Sequence, residues 1–270
     1  MKTFSDSIKC NFTENGSVKG IPFKSLFLAK SFFMDFILDN QESEQKFQKL
    51  LAIIKSRKNG DVSVMMNQKG LKYKINWGVS LIELRDIAKG FAPDHLLALK
   101  LWNKQWRETM ILASLLDEPG ELTEEQMDYW TKSFENTEIA EQFSANLWPK
   151  SKFAFVKALE WCRGKKYLVQ FTGIHLLGRL AIVEKNAIDE MFEPFFGELE
   201  VLARNKKLHT IIYRSTIALG SRSKLLNTQS VELALQMQQN ESEETIKLGE
   251  ALFEELTSPY FREAFENKAN

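Results

Sequence analysis

Trp77-Gly78-Val79-Ser80-Leu81-Ile82-Glu83-Leu84-Arg85 opens the stretch whose reading decides the fold. Three phrases follow it in order: Trp106-Arg107-Glu108-Thr109-Met110-Ile111-Leu112-Ala113, Leu122-Thr123-Glu124-Glu125-Gln126-Met127-Asp128-Tyr129-Trp130 and Asn136-Thr137-Glu138-Ile139-Ala140-Glu141-Gln142-Phe143. All read as helix. Ser80 and Glu83 have the spacing of a capping box, in which two side chains satisfy orphan amides at a helix start. Thr123 and Gln126 repeat that spacing ahead of Trp130. Gly90 is placed to stop the first helix, and Asp117-Glu118-Pro119-Gly120 reads as a turn between two others.

Outward from this stretch the pattern continues. Residues 43–58 put Phe47, Leu50, Leu51 and Ile54 on one stripe. Residues 167–183 are apolar on nearly all sides, which predicts a central helix covered on both faces. Pro194, inside an apolar run, marks a kink or a helix boundary. No alternating run leads into a hairpin turn. The class is therefore all-α, with helices in pairs joined by short polar turns. Periodicity alone fits either an α-solenoid, each pair burying its apolar face on the next, or an irregular helical bundle.

Hydrophobic residues make up 44% and charged residues 27% of the 270, a composition that excludes a disordered chain and implies a large core. No apolar run reaches the length of a membrane span, so no membrane partner is expected. Residues 1–10 lack the apolar segment and cleavage site of a secretory signal. Two cysteines, Cys10 and Cys162, make a disulfide framework improbable and a cytoplasmic location the natural expectation. Without a linker rich in Gly, Pro or Ser, residues 1–270 read as one domain, with 226–270 an acidic helical cap. His95, His175 and His209 have no metal-type spacing, and neither a Gly-rich nucleotide loop nor a Gly-x-Ser-x-Gly phrase occurs, so neither metal nor cofactor is expected. His175, on the apolar helix, reads as a hydrogen-bonded core histidine.

The net charge is zero, yet it is unevenly spread. Residues 1–107 hold 18 Lys and Arg against 10 Asp and Glu, and residues 108–149 hold 1 against 10. Residues 150–224 hold 14 against 7, and residues 225–270 hold 3 against 9. Alternating blocks of this kind fit one basic groove for phosphate, or simply solvated helix faces.

The four phrases resemble the AlkD-like DNA alkylation repair family, HEAT-like-repeat proteins that include glycosylases removing alkylated purines. The resemblance is strongest over residues 70–225 and implies a solenoid of HEAT-like helical pairs. Trp77-Gly78-Val79, Leu84-Arg85, Glu108 and Leu112-Ala113 match scaffold positions. Ile82 replaces a scaffold proline. Arg85 and Glu108 are expected to pair between adjacent helices. The family's Trp-Asp-x-x-Asp phrase becomes Thr137-Glu138-Ile139-Ala140-Glu141 here, so Glu141 takes the catalytic carboxylate position and Glu138 is its neighbour. Thr137 replaces the base-contacting Trp and offers no π face. The two glutamates equally fit a solvated acidic helix face, the commoner situation.

Hydrolysis of an alkylpurine glycosidic bond asks little of a protein, because the cationic base leaves readily. A carboxylate near the sugar stabilises developing positive charge, aromatic faces hold the base, and Lys and Arg hold phosphates. The resemblance places an Arg near Val169 or Gln170, where Gln170 keeps only hydrogen bonding. It places a second Trp near Tyr213 or Arg214, ahead of the Gly220-Ser221-Arg222 turn. Further basic candidates cluster at turns: Lys150 and Lys152; Arg163, Lys165 and Lys166; Arg204, Lys206 and Lys207; Arg222 and Lys224. Lys150–Lys152, Arg163–Lys166 and Arg222–Lys224 are expected to share one edge; the alternative is ordinary charge at helix ends. The six Trp residues are more often core than base platforms; Trp148 and Trp161, which flank the first of the turns, are the two to test as platforms.

The implied function is that of a DNA alkylation repair protein acting on double-stranded, alkylated DNA, a monomer using Glu141 as its carboxylate. Two alternatives stay open: a weak or inactive DNA-binding relative, and a solenoid scaffold for proteins.

Overall fold

In the computed structural model, residues 40–261 and 263 are described, and among them every regular element is helical. Cys10, the reading of residues 1–10 and the last residues of the acidic cap lie outside them. The helices are α1 (Gln41–Ser56), α2 (Gly60–Gln68), α3 (Leu81–Lys89), α4 (His95–Lys104), α5 (Arg107–Leu116), α6 (Glu124–Lys132) and α7 (Thr137–Asn146). They continue as α8 (Ala154–Cys162), α9 (Tyr167–Val183), α10 (Pro194–Leu202), α11 (His209–Gly220), α12 (Lys224–Gln238) and α13 (Glu243–Leu256). No described helix is long and apolar enough to cross a membrane.

Local chemistry sets the boundaries. Ser80 and Glu83 form the full capping box at α3, and Gly90 ends it. Thr123 caps α6, but the box there is incomplete, because the Gln126 amide donates to Asp117 Oδ2 at 2.9 Å instead. Pro194 sits in the first turn of α10, where its missing N–H has no intrahelical role; it is a boundary and not a kink. Gly78 adopts φ +71°, which a side chain there would strain, and it turns the chain into α3.

Packing is in two layers. α5, α7, α9, α11 and α13 lie side by side, each on the next, and form what is here termed the inner layer. α4, α8 and α12 fold back on α5, α9 and α13 as antiparallel hairpins. The buried residues form one cluster from Leu50 to Phe261. The α9–α11 approach is close: Ser215 Oγ donates to the Ile174 carbonyl at 2.8 Å, and a Cβ on Gly178 would meet Ser215. This is the solenoid, not the irregular bundle. Each hairpin buries its apolar faces against its neighbours, as the repeat architecture requires.

Because successive inner helices run parallel, their starts share one rim and their ends the other. Arg107 at the start of α5 meets Glu138 at the start of α7. Ser114 meets Asn146 near the ends of the same two helices.

Candidate nucleic-acid interface

Asn136 caps α7, accepting from the Ile139 amide at 3.1 Å. That start buries Ile139, Ala140 and Phe143 and leaves Glu138 and Glu141 on the other side. The two carboxylates have separate fates. Arg107 is fully buried and donates to Glu138 through Nε at 2.9 Å and Nη2 at 2.6 Å, a forked ion pair. Its Nη1 donates to the Val79 carbonyl at 2.7 Å. The Tyr73 hydroxyl also lies on Glu138, and burial followed by that negative charge pushes its pKa well up. Glu138 therefore holds the scaffold. Glu108 does not pair with Arg85, which is exposed. It accepts from the Trp77 and Val79 amides at 3.1 and 3.3 Å, tying the Trp77-Gly78-Val79 turn to α5.

Glu141, almost one turn further, is half-buried, with no direct hydrogen bond or ion pair among the described residues. Burial raises its pKa, Arg214 opposes that rise and Glu138 adds to it. It thus faces α11 across α9, an unpartnered carboxyl on the inner layer.

Between them α9 carries Tyr167, Phe171, His175 and Arg179 at a constant spacing of four, hence on one stripe. Tyr167 and Phe171 have ring centroids 6.1 Å apart, and Phe171 and His175 are stacked at 6.1 Å with planes 20° apart. His175 is not the hydrogen-bonded core histidine expected from the apolar helix. Its Nδ1 is buried with no partner, and burial, then Arg179 and Arg214, push its pKa down to about 4. Arg179 Nε is likewise buried without a partner. The sequence singled out His175 only as a core residue and gave Phe171 and Arg179 no role, although the spacing of four was a visible signal inside an apolar helix.

The remaining candidates divide sharply. Arg214 is exposed and lines a groove with Ile182, Lys185 and Ile217 on the α9 side of α11. Tyr213, about 100° around the helix, faces α13 beside Lys206, His209 and Lys247. Of this pair, then, Arg214 is the one near Glu141 and His175. The Gln170 amide donates to the Gly164 carbonyl at 2.8 Å and closes the turn before α9. Arg163 is exposed but pairs with Glu198 at 2.6 Å. Arg222 donates to the carbonyls of Ala181, Glu184 and Ala187 and covers the Phe192 ring at 4.8 Å; its guanidinium staples the α9–α10 loop. Lys150, Lys152, Lys165, Lys166, Lys207 and Lys224 are exposed.

The basic turns do not share one edge. Residues 163–166 precede α9 and lie on the rim of helix starts, with Lys206 and Lys207. Lys150 and Lys152 follow α7, and Arg222 and Lys224 follow α11, on the rim of helix ends. Turns entering and leaving parallel helices must alternate in this way. The inner layer consequently has cations along both rims.

Trp148 and Trp161 are buried, not base platforms. They continue a core ladder in which Trp102 stacks on Trp130 at 4.8 Å, Trp130 meets Trp148 at 6.1 Å, and Trp148 meets Trp161 at 6.1 Å. No group of His, Cys, Asp and Glu among the described residues could hold a metal ion.

No family model and no curated protein matches the chain. Among solved structures it is similar to one described as "a new family of proteins related to the HEAT-like repeat DNA glycosylases with affinity for branched DNA structures". The TM-score is 0.60 at 16% identity, over 70% of this chain and 82% of the other. Likeness at that identity establishes the HEAT-like-repeat fold.

Proposed function

We propose that the chain is a repair-related DNA-binding protein that holds double-stranded or branched DNA against its inner layer and reads its backbone and shape. One observation carries this reading: exposed lysines line both rims of the layer, with Arg214 between them. A duplex is charged along two strands, so cations on two rims match it better than one row would. The affinity of the structural neighbour for branched DNA supports the same partner. Against base excision stands the missing aromatic. Thr137 has no π face, Phe171 is 7% exposed, and Trp148 and Trp161 are core, which leaves the half-buried Tyr167 as the one aromatic named on this stripe that reaches solvent near Glu141, too few to sandwich a cationic base between two rings. Binding to linear, four-way-junction and alkylated duplexes across a salt series tests it. Lys165→Glu with Lys166→Glu is expected to weaken binding and to lower the slope of log affinity on log salt by about 2. Unchanged affinity and slope would refute it.

A second reading, alkylpurine excision supported by Glu141, is favoured by the unpartnered carboxyl of that residue. Release of an alkylated purine by the parent chain, abolished in Glu141→Gln, would establish it. Absent release with DNA binding intact would leave the non-enzymatic reading.

A further inference from the structure

Two polar atoms on α9 have no partner, and their positions constrain the atoms beside them. His175 Nδ1 is enclosed with no acceptor in reach. Either tautomer leaves that nitrogen unsatisfied, but a proton there would also add positive charge facing the Arg179 and Arg214 guanidiniums, so the lone pair is the less costly occupant. The imidazole is therefore held neutral with its hydrogen on Nε2, which has no protein partner either and is not enclosed. Arg179 repeats the pattern one turn on: Nε is enclosed and unpaired, whereas its terminal nitrogens are neither enclosed nor hydrogen-bonded. Arg214 precedes Ser215, which bonds the Ile174 carbonyl and abuts Gly178, so it stands beside the 174–178 stretch of α9, within electrostatic reach of His175 and Glu141. The charged groups acting on His175 are thus Arg179 on its own helix and Arg214 on α11, with Glu141 on α7 bounding the far side. A neutral N–H beside two guanidiniums, with no protein acceptor for any of the three, is a set of donors lacking its acceptor. Guanidinium forks suit the oxygens of a phosphate, and a neutral imidazole can donate without needing to take up a proton.

We infer that His175 Nε2, Arg179 and Arg214 form a cradle for one phosphate group at the centre of the inner layer, between the two lysine rims. The inference rests on the DNA-binding reading for the source of that phosphate, either a backbone diester or a strand-end monoester.

The test combines two readouts on the full chain. Imidazole nitrogen NMR is recorded during titration with inorganic phosphate, for the parent, Arg179→Gln and Arg214→Gln. Binding of duplexes with 5′-phosphate or 5′-hydroxyl ends is measured over a salt series for the same proteins. The parent His175 ring is expected to show the Nε2–H tautomer and to shift at Nε2 with phosphate, and each variant to lose the shift. Each variant is also expected to bind duplex about tenfold more weakly, as for one charged hydrogen bond, with a salt slope lower by about 1. Preference for 5′-phosphate ends would assign the monoester, and indifference the diester. Parent-like binding and slope in both variants would overturn the cradle while leaving DNA binding standing. A phosphate shift in a parent that binds no duplex would uphold the cradle and refute the DNA reading. No shift in the parent, or one that persists in Arg214→Gln, whose exposed side chain is not needed for folding, would overturn the cradle itself.

Discussion

Glu138 and Glu141 lie three residues apart on one helix and differ in everything but charge. Glu138 closes a forked pair on the fully buried Arg107, and removing one partner of such a pair leaves an uncompensated charge inside the protein. Glu138→Gln is therefore expected to destabilise the fold by about 3 kcal/mol, read from urea unfolding. Glu141 has the opposite balance. Burial raises its pKa, so what it contributes to stability is present at low pH and lost as pH rises through the folded value. At neutral pH its charge is a burden, and Glu141→Gln should melt at the same temperature as the parent or higher. A large loss of stability in Glu141→Gln would mean that the residue has a structural partner after all. His95 supplies a second test of linkage. Its Nδ1 lies 2.7 Å from Asp117, whose hydrogen bond raises the His95 pKa against the opposing effect of burial. Asp117 is itself raised, by burial first. Both contributions act at low pH. The His95 part is complete below its unfolded value of about 6.5 and fades as pH rises through the folded one. Melting temperatures at pH 6 and pH 8 should accordingly differ more in the parent than in His95→Gln.

At the scale of elements, α9 is the pivot. One side of it meets α8 so closely that a Cβ on Gly173 would lie 2.7 Å from the Cys162 amide nitrogen and 2.8 Å from the Ala158 carbonyl. Both are backbone atoms, so relief requires the helices to separate. Gly173→Ala gains helix propensity, about 1 kcal/mol, but is expected to lose about 1–3 kcal/mol to overpacking and to be destabilised on balance. Gly197 in α10 has nothing within 4 Å of such a Cβ, and Gly197→Ala should stabilise by about 0.5–1 kcal/mol. Chemical denaturation of the two variants separates close packing from propensity, since the same substitution should have opposite signs. The tight α8–α9 and α9–α11 contacts also explain how His175 and Arg179 keep unpaired atoms: the helix is held from both sides, and the stripe cannot rotate to reach other partners.

For the whole molecule, the charge blocks become geometry. Parallel inner helices put alternate turns on opposite rims, so basic turns distant in sequence face each other across the layer. Charge reversal at Lys150 and Lys152 on one rim and at Lys165 and Lys166 on the other should each weaken duplex binding, with effects that add in log affinity. If only one pair matters, DNA lies along an edge and does not span the layer. Salt-dependent anisotropy measurements on the two double variants and their combination distinguish these outcomes.

Helix class, helix starts and the acidic phrase of α7 were legible in the residues, because capping and amphipathic spacing are local. Ser80 and Glu83 meet each other within a turn whatever the rest of the chain does. The stripe of Phe171, His175 and Arg179 was visible as a spacing but not as a site, since nothing local distinguishes an apolar helix buried all round from one with a polar edge on an open face. The loss of Glu138 to Arg107, the use of Arg222 as a loop staple and the burial of Trp148 and Trp161 depend on partners 13–41 residues away. The amino-acid sequence by itself determined paired helices, with Glu141 on one of them, and left solenoid and bundle both open. Only the tertiary structure decided which charges are spent inside the scaffold and which face the inner layer, because an ion pair or an orphaned donor is defined by what packs beside it.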